Sequence, residues 1–343
     1  MKRQKVITIL FSALCVLIAG CDSFGTNDSL KLSTVNDITS YPDLPKLENG
    51  RLTFQASADF NTLFDHLIEN QDPSDLEEFE ANIKGFVSLR TITNRLLYEM
   101  ADDGKEDEVG ESPLDNQEIV RIVEDPILEL LLNQDGEIQI SDSVYKVTRD
   151  YVYGVTAENA EILSRIQLWS SRPSKMHTGG DIKIVKVDRS IASEVVSKSN
   201  SISDIQGRGE CWVSMPEGPR RRYRLKGSSW INNWGFTRTF GSELEVQQIK
   251  KRGFRRWYHH RVAEINMSGT FSKKVDNEFD VQITVHASID LTKYNAAEIR
   301  RTHERDRGKD DILGANIDMT FYALKTQDPA DEVTCSKTRS WNW

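Results

Sequence analysis

The chain has 343 residues, 38% of them hydrophobic and 28% charged, with 53 Asp and Glu against 44 Lys and Arg for a formal net charge of −9. That content excludes disorder throughout, and no stretch beyond the first twenty residues approaches the roughly eighteen apolar residues of a membrane-spanning helix. The charge is unevenly spread: residues 22–160 hold 30 acids and 10 Lys/Arg, whereas residues 219–261 hold 12 Lys/Arg and two acids, Glu243 and Glu245. Such a split predicts two surfaces with different partners, or two domains that face each other.

Lys2, Arg3 and Lys5 precede an apolar run from Val6 to Ala19, broken only by Thr8 and Ser12. About fourteen such residues suit the core of an export signal and are short for a membrane span. The run closes on Leu17-Ile18-Ala19-Gly20-Cys21, which resembles the bacterial lipobox. In that motif the small residues fit a narrow peptidase site and the cysteine accepts a diacylglycerol thioether. The expectation is a signal peptide over 1–20 and a lipidated Cys21. At least two acyl chains then anchor the protein stably to the inner or outer membrane, facing the periplasm or the cell surface. Asp22 does not decide which membrane, because retention rules differ between lineages. Residues 21–46 are rich in Ser, Thr, Asn, Asp and Pro and read as a tether with a mean reach of roughly 25–30 Å.

Residues 47–187 read as an N-terminal α+β domain. Arg51–Phe54 looks like a short strand. Ser57 is placed to cap a helix with Phe60, Leu63, Phe64, Leu67 and Ile68 on one stripe. Further helices are expected at Leu76–Ile83 and Thr93–Met100, then an acidic loop over 102–118. Asp125-Pro126 opens a helix carrying Ile127, Leu128 and Leu130 to Leu132. Glu137–Ile140 and Val144–Val147 flank Ser141-Asp142 as a hairpin. Thr156 is placed to cap a helix running to Leu168.

A Ser-rich linker is expected at 188–206, followed by a C-terminal β domain over 207–343. There the period changes to two. Phe279, Val281, Ile283, Val285, Ala287, Ile289 and Leu291 alternate with polar residues, and Leu313, Ala315, Ile317, Met319, Phe321 and Ala323 repeat the pattern. Ala263, Ile265, Met267 and Phe271 follow it more loosely. Strict alternation marks long antiparallel strands with one face in a core. A short helix is expected at Asn295–Arg305. The predicted fold class is α+β: a small N-terminal α/β domain followed by a mainly antiparallel, β-sandwich-like domain.

Gly85-Phe86-Val87-Ser88-Leu89, and the run from Asp125-Pro126 through Leu131–Ile140 to Tyr145-Lys146-Val147, resemble a group of Bacteroidetes-type envelope lipoproteins of unknown function when taken with the lipobox. The resemblance covers mainly residues 50–155 and its motifs look structural. It implies an envelope location and supplies no catalytic residues.

Cys15 leaves with the signal and Cys21 takes lipid. Cys211 and Cys335 remain, and an even pair in an oxidising compartment reads as a disulfide. Two buried thiols are the alternative. A metal site is disfavoured, since no His stands at ligand spacing from either cysteine. The chain lacks G-x-S-x-G, H-E-x-x-H, P-loop and G-x-G-x-x-G motifs, so neither catalysis nor a cofactor is expected. His259-His260 point to opposite sides of a strand and His286 lies on a polar face; all read as surface residues.

The basic-aromatic stretch is the main candidate for ligand binding. Arg220, Arg222 and Arg224 can share one face of a strand, with Trp230, Trp234 and Trp257 as stacking platforms. Arg forks bind phosphate and carboxylate, and aromatic rings stack on sugars. An anionic glycan, a lipid head group or an envelope protein fits this chemistry. Docking against the acidic first domain is a second reading of the same residues, and plain protection of sheet edges is a third. Nucleic acid is disfavoured by the compartment. The leading functional reading is a lipid-anchored, non-catalytic binding or adhesion module. A structural component of the envelope comes next, and an unrecognised hydrolase last.

Overall fold

A computed structural model of the chain describes residues 44–102, 121–168, 182–187, 194–195, 210–215, 222–249, 257–276, 282–306, 312–328 and 332–342. The expected signal over 1–20, Cys21, the expected tether as far as residue 43, the expected acidic loop and most of the Ser-rich segment lie outside them. The described residues are mainly β, with few helices, and belong to one compact unit. Among them, no helix is long and apolar enough to cross a membrane.

In the first part, β1 (Lys46–Glu48) and β2 (Arg51–Phe54) pair antiparallel around Asn49-Gly50, both at positive φ. α1 (Ser57–Glu69) buries Phe60, Leu63, Phe64 and Leu67 at helical spacing. Ser57 is not its cap. Ala56 holds the cap position in extended backbone, and the Asp59 carboxylate accepts its N–H at 3.0 Å. α2 (Pro73–Asn82) starts earlier than expected because Pro73 suits a first turn, where a missing N–H costs nothing. α3 spans Leu89–Asp102 and α4 Pro126–Leu131. Asp125 Oδ1 accepts from Ile127 N and Leu128 N at 2.8 and 2.7 Å, closing the start of α4 as its sequence predicts.

β3 (Glu137–Ile140) runs parallel to β2 and turns through Ser141-Asp142 into β4 (Ser143–Val147). β5 (Tyr151–Thr156) and β6 (Lys183–Lys186) complete a six-stranded sheet in sequential order. The helix expected from Thr156 to Leu168 is a 3-10 helix ending at Arg165; its Leu163 joins Val144, Tyr153 and Val155 in a small core of its own. The main core of this part joins α1–α4 to β2, β3 and the facing side of β4 and β5.

The rest of the chain forms two antiparallel sheets that pack face to face. β8 (Glu210–Met215), β9 (Arg222–Asn233) and β10 (Arg238–Ile249) lie side by side in the second sheet. The far side of β10 is shared by β14 (Glu298–Asp306) and β11 (Trp257–His259). The third sheet has the order β13 (Gln282–Ala296), β12 (Val262–Asp276), β15 (Ile312–Leu324), β16 (Glu332–Asn342) and β7 (Glu194–Val195). Leu225, Phe240, Leu244, Val246 and Ile299 meet Ile265, Met267, Ile317, Met319 and Phe321 in one core. Gly227 makes room for this packing, since a Cβ there would sit 2.1 Å from the Phe321 ring.

The helix expected at Asn295–Arg305 is a strand. Asn295 takes φ 49° and the chain crosses from the third sheet into β14 of the second. β14 pairs along β10 on one side, and on the other the Gln71 side chain bonds both backbone groups of Thr302 at 2.9 Å. These long-range bonds override the local helical preference.

The two parts of the chain share a core. The β9–β10 hairpin ends in Trp234-Gly235-Phe236, closed by a Trp234 N–H to Thr237 carbonyl bond of 2.9 Å. Trp234 is fully buried among residues of the first part, and Phe236 packs against Tyr145 and Phe60 with ring centroids 4.7 and 5.9 Å apart. The hairpin tip is a hydrophobic plug under the first sheet.

Candidate functional site

Register alone assembles a polar row on one side of the second sheet. Gln247 pairs with Arg224 on β9 and His259 on β11. Glu245 pairs with Lys226 and Glu298, and Glu243 with Ser228 and Arg300. Directly paired residues point to the same side, and alternate residues along a strand do too. The opposite side, with Leu225, Leu244 and Val246, meets the third sheet. The polar side does not face water. Arg121 and α4, which carries Glu129, close over it.

The contacts form one network. Arg121 reaches Glu298 Oε1 through Nε at 2.9 Å and Oε2 through Nη2 at 2.7 Å, and it touches Glu129 at 3.2 Å. Arg300 Nη1 bonds Glu129 Oε2 at 2.6 Å, and its other nitrogens bond the carbonyls of Val123 and Glu124. Arg300 Nε also lies 3.3 Å from Glu243 Oε1 and 3.6 Å from Glu298 Oε1. Lys226 Nζ stands 3.4 Å from Glu245 Oε2, and His259 Nε2 stands 3.3 Å from Glu245 Oε1. Gln247 links the row, accepting from Arg224 Nε at 2.6 Å and donating to Glu245 at 2.9 Å.

Burial and pairing pull the acids apart. Burial and the neighbouring Glu245 push the Glu243 carboxyl well above the ordinary carboxylate range, against Arg300; its Oε1 accepts no hydrogen bond among the described residues. Burial also acts on Glu298, but Arg121, His259 and Arg300 outweigh it and hold that carboxyl at about 2. Glu245 is likewise held well below its usual range, because Lys226 and a bond from His259 outweigh burial. Arg121, Arg300 and Lys226 thus stand against Glu129, Glu298 and Glu245.

Ligand atoms of Glu243, Glu245 and Glu298 fall within 4.8 Å of one another, a spacing at which a cation could bridge carboxylates. Here Arg300 already bridges Glu243 and Glu298, and Lys226 and His259 flank Glu245. The positive charge of the cluster is carried by side chains, so the three acids do not make a strong cation site.

The residues picked from the sequence are not assembled into an exposed platform. Arg224 is buried within the network, Trp230 is buried against Gly241, and Trp234 is the plug. Buried rings and a bonded guanidinium cannot stack on or clamp a ligand in solution. Arg220 lies outside the described residues. Arg222 and Trp257 stand in one row across β9, β10 and β11, each paired with Ile249. His259, read as a surface residue, is buried beside Glu245; His286 is exposed as expected. Cys211 on β8 is bonded to Cys335 on β16, with Cα atoms 6.1 Å apart, tying the two sheets together.

Among the described residues, the acidic first part and the basic second part dock through β14. Besides Arg300, Arg305 bonds Asp65 at 2.6 Å and the Asn61 carbonyl at 3.1 Å, with its guanidinium over the Phe64 ring at 5.2 Å. Sequence reasoning passed over Arg121, Glu129, Glu298, Arg300 and Arg305. The available signal was the opposed charges of Lys226 and Glu245, which become neighbours once β9 and β10 are read as one hairpin.

No family model, no curated protein and no solved structure matches this chain.

Proposed function

We propose that the chain is an exported envelope lipoprotein, anchored through Cys21, that works by binding or assembly rather than by catalysis. The observation that carries this reading is the Cys211–Cys335 bond between the sheets of the sandwich. Such cross-links persist in oxidising compartments. A leader over residues 1–20 ending in Leu17-Ile18-Ala19-Gly20-Cys21 would deliver the chain to one.

The chemistry of the charged cluster supports a non-catalytic role. A general acid or base must reach the proton it moves. The Glu129, Glu243 and Glu245 side chains are at most 7% exposed and face arginine, lysine or histidine. Glu129 ties α4 to Arg300 on β14, and the three carboxyl groups of this cluster are engaged in these contacts. An anionic glycan or lipid head group remains the proposed ligand class for Arg222 and Trp257, which stand in one row across β9, β10 and β11.

The test is fractionation of cells expressing the chain and its Cys21→Ser variant. The parent should sediment with membranes and the variant should be released. A variant that stays membrane-bound and still incorporates labelled fatty acid overturns the anchor. A soluble parent overturns it too.

A further inference from the structure

The three sheets finish their edges differently. The first sheet ends in β1, of three residues, and β6, of four residues flanked by Lys183 and Lys186. The third ends on one side in β7, of two residues. The outer edge of β14 is occupied by Gln71. Short strands, lysines and covering side chains are the usual means of stopping a sheet from growing.

Among the described residues, β13 shows none of them before Lys293. It is 15 residues long, and among the described residues it pairs only with β12, in unbroken register from Val262↔Ala296 to Asp276↔Gln282. It contains no proline, no glycine and no Lys or Arg before Lys293. Gln282, Thr284, Val285, His286, Ala287, Ser288 and Asp290 are exposed. Val285, on the apolar side of the strand, is 44% exposed. About half of the strand's backbone N–H and C=O groups point away from β12, ready to bond another strand.

We propose that this edge pairs with the same edge of a second copy, joining two third sheets into one continuous sheet through an antiparallel β13–β13 contact. Self-pairing of an edge gives an isologous two-fold interface, which closes at the dimer. The sequence also selects a register. For both apolar and polar sides to match, the two-fold axis must pass through a residue, because a slip of one exchanges the sides. An axis at Ser288 sets His286 of one copy opposite Asp290 of the other, twice. It also sets Thr284 opposite Thr292, Val285 opposite Leu291 and Ala287 opposite Ile289. Axes at Ala287 or Ile289 place no acid opposite a base. Opposite partners of this kind stabilise cross-strand pairs, and like charges oppose them.

The experiment is sedimentation velocity on the purified full chain, with cross-linking through single cysteines. The parent should sediment as a dimer. Under mild oxidation Ser288→Cys should give a covalent dimer beyond the parent's background, since each residue 288 meets its twin at a distance a disulfide spans. Thr284→Cys should not, because it meets Thr292. His286→Glu should weaken dimerisation roughly tenfold, as two attractive pairs become repulsive, and adding Asp290→Lys should restore it. A parent that stays monomeric overturns the proposal. So does a dimer that Ser288→Cys fails to lock, or one indifferent to His286→Glu. All these positions are exposed, so the variants leave the fold in place.

Discussion

Arg300 on β14 and Glu129 on α4 lie 2.6 Å apart beneath the second sheet, with Glu129 fully buried. They join parts of the chain 171 residues apart in sequence. Removing one partner of such a pair strands the other charge in a low dielectric. Arg300→Met should therefore lower stability by about 3–5 kcal/mol in urea unfolding. Replacing both residues by apolar ones should cost much less than the sum of the single changes. Additive losses would show that the two are not coupled.

The pH dependence follows from the two displaced acids. Glu298 is held at about 2, below its ordinary 4.5. Its contribution is full above about pH 4.5 and is lost as pH falls toward 2, on the order of 3 kcal/mol in total. Glu243 is displaced upward. Its folded form binds the proton more tightly, so its contribution is present below pH 4.5 and declines as pH rises. Glu243→Gln should thus stabilise the protein at neutral pH, while Glu298→Gln destabilises it. Thermal unfolding between pH 3 and 8 checks both signs.

Trp234 should behave as a core residue. Its burial in the plug predicts a loss of about 3–5 kcal/mol for Trp234→Ala. The Phe236→Ala change removes a ring that is only half-buried and should cost less. A Trp234→Ala protein of parental stability that had lost binding to an anionic glycan would restore the stacking-platform reading.

The Cys211–Cys335 cross-link encloses a separation of 124 residues. Chain-entropy reasoning gives about 5 kcal/mol as an upper figure for its contribution. Non-reducing peptide mapping should recover the two cysteines in one linked fragment, and reduction should lower the thermal midpoint. Two free thiols in oxidised protein would contradict the pairing.

The sequence exposed the elements whose signals are local. The Phe60/Leu63/Phe64/Leu67 stripe, the Asp125-Pro126 helix start, the Ser141-Asp142 turn and the alternation of Ile283–Leu291 and Ala315–Ala323 each need only nearby residues. The pairing of Cys211 with Cys335 followed from parity and compartment. The charged row was passed over because Arg224, Lys226, Glu243 and Glu245 alternate with apolar residues as a solvated strand face does. Their partners, Arg121, Glu129 and Arg300, come from distant segments, and only tertiary structure brings them together. Asn295–Arg305 looked helical for the same reason: the bonds that make it a strand run to β10 and Gln71. Trp234 resembled a ligand platform because it lies close in sequence to the arginines, and here it enters another part of the core.

The central claim is that the mature protein begins at a lipid-modified Cys21, and mass spectrometry of the N-terminal peptide from membrane-purified protein tests it most directly. The account predicts a peptide starting at Cys21 with the added mass of a diacylglycerol thioether, and no peptide from residues 1–20. An unmodified Cys21 within a longer peptide, or an unlipidated terminus at another residue, would contradict it.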